Sequence, residues 1–393
     1  MKNNKNQIKI NGKKNKIAIF GAGKCGELLL NKLKSSKIYN VECFIDDFVK
    51  LKKINGLKVY TKELFLKENK NNIKTIVIAI PSLDNYKKQI IINYFIKYKF
   101  KILTTPDLWS IKSGFPISNL YTIDPFLILK RDPIIIKNNK SKFFQNKNIV
   151  IFGGAGSIGR EVAHQLLSLK TKSIHIIDNN EFNLKNVSEK LVLKKKEGKI
   201  KTQLNFYISN IENKKQFEYI FKKNKINIAY NAAAYKHVVS GLFSAQNLMY
   251  SNLITCINTF EVCQKYNVGN YIYVSSDKAA DPKSYMGLSK FVCEEIISKQ
   301  NLINKSMRIS KIRFGNVFGS MGSAIPSFLE QIKSGGPVLI RDKKLNRYFL
   351  SLPEAAQLII LASNTKKTNQ TLLLDMGKPL QIVSIVKTLI HYF

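Results

Sequence analysis

Little in this chain could hold it together from outside its own core. Its 393 residues include five cysteines, Cys25, Cys43, Cys256, Cys263 and Cys293, with no C-x-x-C pair. That excludes a dense disulfide framework and the spacing of a zinc ribbon. The cysteines lie in predicted helices or strands and read as buried thiols of a reducing compartment. Four histidines, His164, His175, His237 and His391, show no metal-ligand spacing either. No uncharged apolar run reaches the ~18 residues of a membrane span. The first 16 residues are rich in Lys and Asn and lack the apolar core of a signal peptide. Acidic side chains are scarce: 26 Asp and Glu stand against 64 Lys and Arg, a net charge of +38. Such a balance raises nucleic acid and anionic membranes as partners. The lysines are spread along the whole chain, however, arginine is rare, and no RRM, zinc-finger or arginine-rich segment is present. Nucleic-acid binding is therefore set aside. The charge favours an anionic substrate and at most peripheral contact with a membrane, and a cytoplasmic protein is expected.

What is present is ordered like an α/β protein. The length suffices for two or three domains. Two segments open in the same way: an apolar strand, a glycine loop, a helical run, then a strand ending in aspartate. The first runs Lys16–Phe20, Gly21-Ala-Gly23-Lys-Cys-Gly26, a helix from Glu27, and Val41–Ile45 before Asp46-Asp47. The second runs Asn148–Phe152, Gly153-Gly-Ala-Gly156-Ser157-Ile158-Gly159, a helix from Arg160, and Ser173–Ile177 before Asp178. Strands alternating with helices predict two Rossmann-like, doubly wound parallel sheets. The expected divisions are an N-terminal domain over 1–105, an ordered, proline- and aromatic-bearing connector over 106–146, and a second domain over 147–393. Within the second, 314–393 reads as a smaller substrate-binding part of short elements.

The second loop carries a dinucleotide-binding fingerprint. Its glycines allow the tight turn, the approach of backbone to a pyrophosphate, and close helix–strand packing, while the helix amino terminus faces the anion. Gly153, Gly156, Ser157, Ile158 and Gly159 are therefore cofactor candidates, and Asp178, 19 residues after Gly159, is placed for the adenosine ribose. Asn179-Asn180 offers no cation for a 2′-phosphate, so NAD is expected over NADP. The first loop fits the same pattern with Asp46, yet nothing reactive follows it, and a ligand there and an empty crevice stay equally open.

The reactive residues gather farther on. After the strand-like Tyr271–Val274 comes Ser275-Ser276-Asp277-Lys278, and Met286 and Lys290 follow in a helical run. Acid, base and a further lysine thus sit at the carboxyl end of a strand, where doubly wound sheets bind ligands. Ala232-Ala233, with Lys236 and His237, follow another strand-like run.

These stretches resemble the polysaccharide-biosynthesis nucleotide-sugar dehydratases, within the extended short-chain dehydrogenase/reductases, a group that includes UDP-N-acetylglucosamine 4,6-dehydratases. The matching segments are Gly153–Glu161, Asp178–Leu184, Ala232–Val238, Ser275–Lys290, Arg313–Ser320, Ile325-Pro326, Arg347–Phe349 and Asp375–Pro379. The resemblance implies that Asp277 is the acid at sugar C6 and Lys278 the base at C5. Ser276 supplies a hydroxyl where the group commonly has Thr. Lys290 holds the cofactor ribose, with Ala232 and Ala233 beside the cofactor and Asn210 at the adenine. Lys236, His237, Asn316 and Arg347 become candidates for a UDP-sugar. In the wider superfamily a tyrosine stands four residues before the lysine; here that position is Met286, on the same helix face as Lys290. Tyr285 lies ~140° away around the helix. A reductase or epimerase dependent on that phenol is disfavoured, and the Met-containing, C5-retaining dehydratases are the nearer likeness. The alternatives are a C5-inverting dehydratase, a nucleotide-sugar epimerase, or a noncatalytic dinucleotide-binding regulator. The four amino-terminal membrane helices of many larger members have no counterpart in this sequence, and members usually continue past the position of Phe393. A homo-oligomer is expected.

Overall fold

The computed structural model describes the chain outside residues 1–14, 35–38, 50–51, 70–71, 81–82, 84, 106–127, 130, 132–140, 237–243, 304–306, 321–322, 341, 374 and 393. The chain divides into two compact units, residues 1–132 and 133–393. The division falls inside the expected 106–146 connector, most of which lies outside the described residues.

In the first unit, strands β1 (Asn15–Phe20), β2 (Tyr39–Ile45), β3 (Lys53–Ile54), β4 (Leu57–Tyr60), β5 (Thr75–Ile78) and β6 (Lys101–Thr104) form one sheet in the order β3-β4-β2-β1-β5-β6. Only the β3–β4 pairing is antiparallel. Helix α1 (Lys24–Leu33) follows the first glycine loop, with α2 (Lys62–Glu68) and α3 (Asn85–Lys97) farther on. The inner strands are continuous apolar runs because both faces of a parallel sheet are covered; Ile17, Ala18 and Ile19 have no exposed surface.

The second unit repeats the plan at larger scale. Its strands are β7 (Asn148–Phe152), β8 (Ser173–Asp178), β9 (Gln203–Ile208), β10 (Ile228–Asn231), β11 (Asn270–Val274), β12 (Arg308–Arg313) and β16 (Gln370–Leu373). They form an all-parallel sheet in the order β16-β12-β11-β10-β7-β8-β9. The order reverses at β7, so the switch point lies between β7 and β10, outside their carboxyl ends. The intervening helices are α4 (Ser157–Leu166), α5 (Glu181–Glu197), α6 (Lys214–Lys223), α7 (Ala245–Lys265) and α8 (Tyr285–Ile303).

The carboxyl-terminal stretch carries the short elements read from 314–393, and part of it joins the main sheet. Strands β13 (Asn316–Phe318) and β15 (Phe349–Ser351) pair in parallel, and β14 (Asn346–Arg347) pairs with β17 (Leu380–Gln381). Helices α9 (Ala324–Lys333) and α11 (Ile382–Tyr392) belong to this stretch. Yet β16 extends the main sheet, and α10 (Leu352–Ala362) buries Ala355, Ala356, Ile359 and Ile360 in the same core as Ile149, Ile151 and Val162. Ser351 and Glu354 close a reciprocal capping box at the start of α10. Apolar surface drives this assignment: a helix with so wide an apolar face has to pack on the sheet.

His175 lies in β8 with 1% of its surface exposed, between the Ser173 and Tyr207 hydroxyls at 2.9 and 3.1 Å. Burial pushes its pKa from 6.5 down to about 4. Between those values the unfolded chain binds a proton that the native chain does not, so stability falls as pH drops through this window. The loss expected at pH 5 is about 2 kcal/mol. Burial likewise pushes His164 from 6.5 down to about 3, so urea midpoints at pH 7 and pH 5 should show both losses and His175→Gln should remove about half of the difference.

Candidate active site

The glycine loop between β7 and α4 is shaped by its contact with the strand beyond the switch point. Gly153 has φ +69°, and a Cβ there would lie 2.6 Å from Ala233 Cα, so only glycine lets these backbones meet. The Ala232 N–H donates to the Phe152 carbonyl at 3.0 Å, completing the seam. Helix α4 starts at Gly156 without a side-chain cap, unlike α5, where the Asn180 side chain accepts from the Asn183 N–H. Its forward amides and dipole suit an anion.

Asp178 is buried at the end of β8. One carboxylate oxygen accepts from the Ala155 N–H at 2.9 Å and the other from the Asn180 N–H at 2.9 Å. Its first task is thus to hold the glycine loop, with lone pairs left over for ribose hydroxyls. The first unit repeats the device: Ala22 N–H donates to Asp46 at 2.8 Å. The uncapped helix, the loop held open by Gly153 and this carboxylate together fit a dinucleotide. Asn210 is exposed; its side-chain oxygen accepts from the Glu212 N–H at 3.0 Å.

The turn after β11 carries Asp277 and Lys278. Ser276 caps a single 3-10 turn over Asp277–Ala279, its hydroxyl donating to Asp277 Oδ1 at 3.0 Å. The Lys278 ammonium lies 2.9 Å from the same Oδ1 and 3.4 Å from Asn316 Oδ1. Asn316, in β13, is itself held by its N–H to the Tyr348 carbonyl at 2.9 Å. Ser276, Asp277, Lys278 and Asn316 therefore form one cluster. Gly287 lets α8 approach this turn, since a Cβ there would meet the Lys278 carbonyl oxygen at 2.5 Å.

Met286 and Lys290 share the buried face of α8, each 5% exposed, while Tyr285 is half exposed. The Lys290 ammonium donates to the Val274 carbonyl at 2.7 Å and lies 4.6 Å from the Tyr273 ring centroid. Burial lowers its pKa, against the opposing charges of Cys293, Cys256 and Glu294. One of its three donors is spent on Val274, leaving others for a ligand.

The other candidates lie on other segments of the chain. Lys236 is exposed on the loop after β10; desolvation and then the Arg160 guanidinium lower its pKa. Arg347 donates to the adjacent Asn346 carbonyl at 2.9 Å. His237 lies outside the described residues. Asn252, on the helix that follows and given no role by the sequence, has a side chain that accepts from the Tyr235 N–H at 2.8 Å and donates to the Tyr235 carbonyl and Ser289 hydroxyl. Sequence reasoning missed Glu294, although its spacing from Lys290 places it on the same helix face. Among the described residues no His, Cys, Asp and Glu group could hold a metal. All five cysteines are buried and free.

Residues 149–393 match the family described as Polysaccharide biosynthesis protein. The chain belongs to this family. Residues 16–95 match the PglD N-terminal domain. The probable polysaccharide biosynthesis protein EpsC of Bacillus subtilis is 30% identical over 386 residues, covering 95% of this chain and 63% of that protein. The chain thus spans under two thirds of that relative's length. Among solved structures, Pen from Bacillus thuringiensis is 25% identical with a TM-score of 0.58, over 63% of this chain and 74% of that one. DesIV of Streptomyces venezuelae, a dTDP-glucose 4,6-dehydratase with NAD bound, is 18% identical with a TM-score of 0.53, over 62% of this chain and 80% of that one. A solved UDP-glucose 4-epimerase shares the architecture too, so likeness at this level identifies a Rossmann-type fold and leaves the reaction open. Among the described residues no helix is long and apolar enough to cross a membrane.

Gly287→Ala tests the approach of α8 to the turn. Helix propensity alone favours alanine by roughly 1 kcal/mol. Here the added methyl would press on the Lys278 carbonyl, and a net loss of roughly 1–3 kcal/mol is expected in urea unfolding. A gain would show that the approach is loose.

Proposed function

We propose that this chain is an NAD-dependent nucleotide-sugar 4,6-dehydratase acting on UDP-N-acetylglucosamine, with retention at C5. The observation that carries the reading is the Asp277–Lys278 contact of 2.9 Å at the carboxyl end of β11, beside buried Met286 where a reductase or epimerase would need a phenol. Gly153, Gly156, Gly159 and Asp178 would hold NAD, which when bound would supply the hydride-accepting and hydride-donating chemistry that carries hydrogen from sugar C4 to C6. NAD rather than NADP follows from the absence of a cation at Asn179-Asn180.

The chain's own part is proton management. Elimination needs a neutral amine at C5 and a protonated carboxyl at C6. One proton moved along the Lys278–Asp277 contact converts the ion pair into that state, and a dry site brings the two forms closer in energy. Lys278 then takes the C5 proton while Asp277 protonates the leaving C6 hydroxyl, so water departs and the ion pair is restored. Lys278 returns its proton to the same face of C5, and Asp277 regains one from solvent. Because Asp277 already carries its proton at the outset, the C4 hydroxyl proton leaves through water. Ser276 and Asn316 hold the pair in place, and Lys236 and Arg347 serve the anionic nucleotide.

Incubation with UDP-N-acetylglucosamine and NAD should give a 4-keto-6-deoxy sugar by NMR, with one deuterium entering C5 in heavy water. Asp277→Asn and Lys278→Met should each lower kcat by about 10²–10⁴-fold, with NAD affinity within about threefold of wild type. No product from folded, NAD-bound protein would overturn the reading in favour of a noncatalytic dinucleotide binder.

A further inference from the structure

Residues 286, 290 and 294 of α8 recur every four positions and face the same way. Met286 and Lys290 belong to the site described above; Glu294, 2% exposed, has no part in the chemistry just given. Its carboxylate accepts from the Ser275 hydroxyl through a short hydrogen bond. It also takes three bonds from Arg313: Nε to Oε1 at 2.9 Å and to Oε2 at 3.1 Å, and Nη2 to Oε2 at 2.6 Å. Val274 and Ser275, the two residues that lead into the catalytic turn, are thus tied in succession to α8, the first by Lys290 and the second by Glu294. Arg313 ends β12, and backbone on either side of it holds the same segment. The Ser275 N–H donates to the Ile312 carbonyl at 2.8 Å and the Asp277 N–H to the Phe314 carbonyl at 3.1 Å.

We propose that Glu294 and Arg313, acting through Ser275, are positioning residues that set where the Asp277 carboxyl and the Lys278 amine meet the sugar. This rests on the dehydratase reading for its catalytic consequence. A buried ion pair is weak evidence for stability, since packed apolar side chains serve as well. What the pair supplies, and an apolar pair does not, is direction. A forked guanidinium fixes the plane of the carboxylate, and the carboxylate fixes the Ser275 hydroxyl one residue before the turn. The acid and base serve atoms on adjacent sugar carbons, and a displacement of about 1 Å there costs about 10²-fold in rate.

Ser275→Ala is the discriminating variant because it leaves Glu294 and Arg313 paired. It should lower kcat about 10–100-fold, with KM for the sugar nucleotide and NAD affinity within about threefold. Ser275→Thr, which restores the hydroxyl, should recover most of the rate. Hydrogen exchange should be faster in the peptide spanning 275–280 of Ser275→Ala and Glu294→Gln, with β7 and β8 unaffected. Wild-type kcat together with unchanged exchange in Ser275→Ala would overturn the proposal. So would a uniform loss of protection and NAD binding, which marks a general structural role. The exchange arm needs no turnover: wild-type protein inactive on the sugar nucleotide would sink the dehydratase reading and leave the positioning claim to be judged on exchange.

Discussion

The constraint on which the second unit depends is the parallel pairing of seven strands. Parallel strands deliver every carboxyl end to one edge of the sheet, and each connection must cross back over a face. The glycine loop after β7, Asp178 after β8, the Ala232–Lys236 loop after β10 and the Asp277–Lys278 turn after β11 therefore leave the sheet on the same side. The order reversal at β7 opens the crevice between β7 and β10. There the contact between Gly153 and Ala233 closes the floor, and backbone packed this tightly leaves the amides of α4 facing forward.

Above that floor the chemistry is concentrated in one short turn. Asp277 and Lys278 are neighbours in sequence, and in an extended strand neighbouring side chains point to opposite faces. The 3-10 turn started by the Ser276 cap bends them back to 2.9 Å. Three elements then hold the turn: α8 comes close at Gly287, β13 supplies Asn316, and the end of β12 accepts the backbone N–H groups of Ser275 and Asp277. A phenol at position 286 would stand on the buried face of α8 where methionine now packs.

Much of this was legible in the residues. Apolar runs such as Ile149–Phe152 and Tyr271–Val274 identify buried parallel strands, because a sheet covered on both faces needs no polar alternation. The spacing of Gly153, Gly156 and Gly159 with Asp178 identifies the dinucleotide crevice, since each residue answers a local backbone requirement. Less legible was the stretch from 314 to 393. Its short elements could be read as such, but that α10 and β16 join the main core was decided by long-range apolar packing. Asp178 was readable as a ribose ligand, but its bond to the Ala155 N–H depends on a fold of the loop that spacing alone does not specify.

Local chemistry and periodicity in the sequence determined the two Rossmann-like openings, the acid–base turn, the missing phenol and the family likeness. Each is written within a few dozen residues, over distances where backbone geometry dictates the outcome. Tertiary structure alone decided which distant groups meet: Glu294 with Arg313 and Ser275, Asn316 with Lys278, Asn252 with Tyr235. Those partners come from different strands and helices, and their distances follow from how the whole sheet packs. It also turned the Lys290 ammonium to the Val274 carbonyl, because a buried cation takes the nearest acceptor that the fold provides.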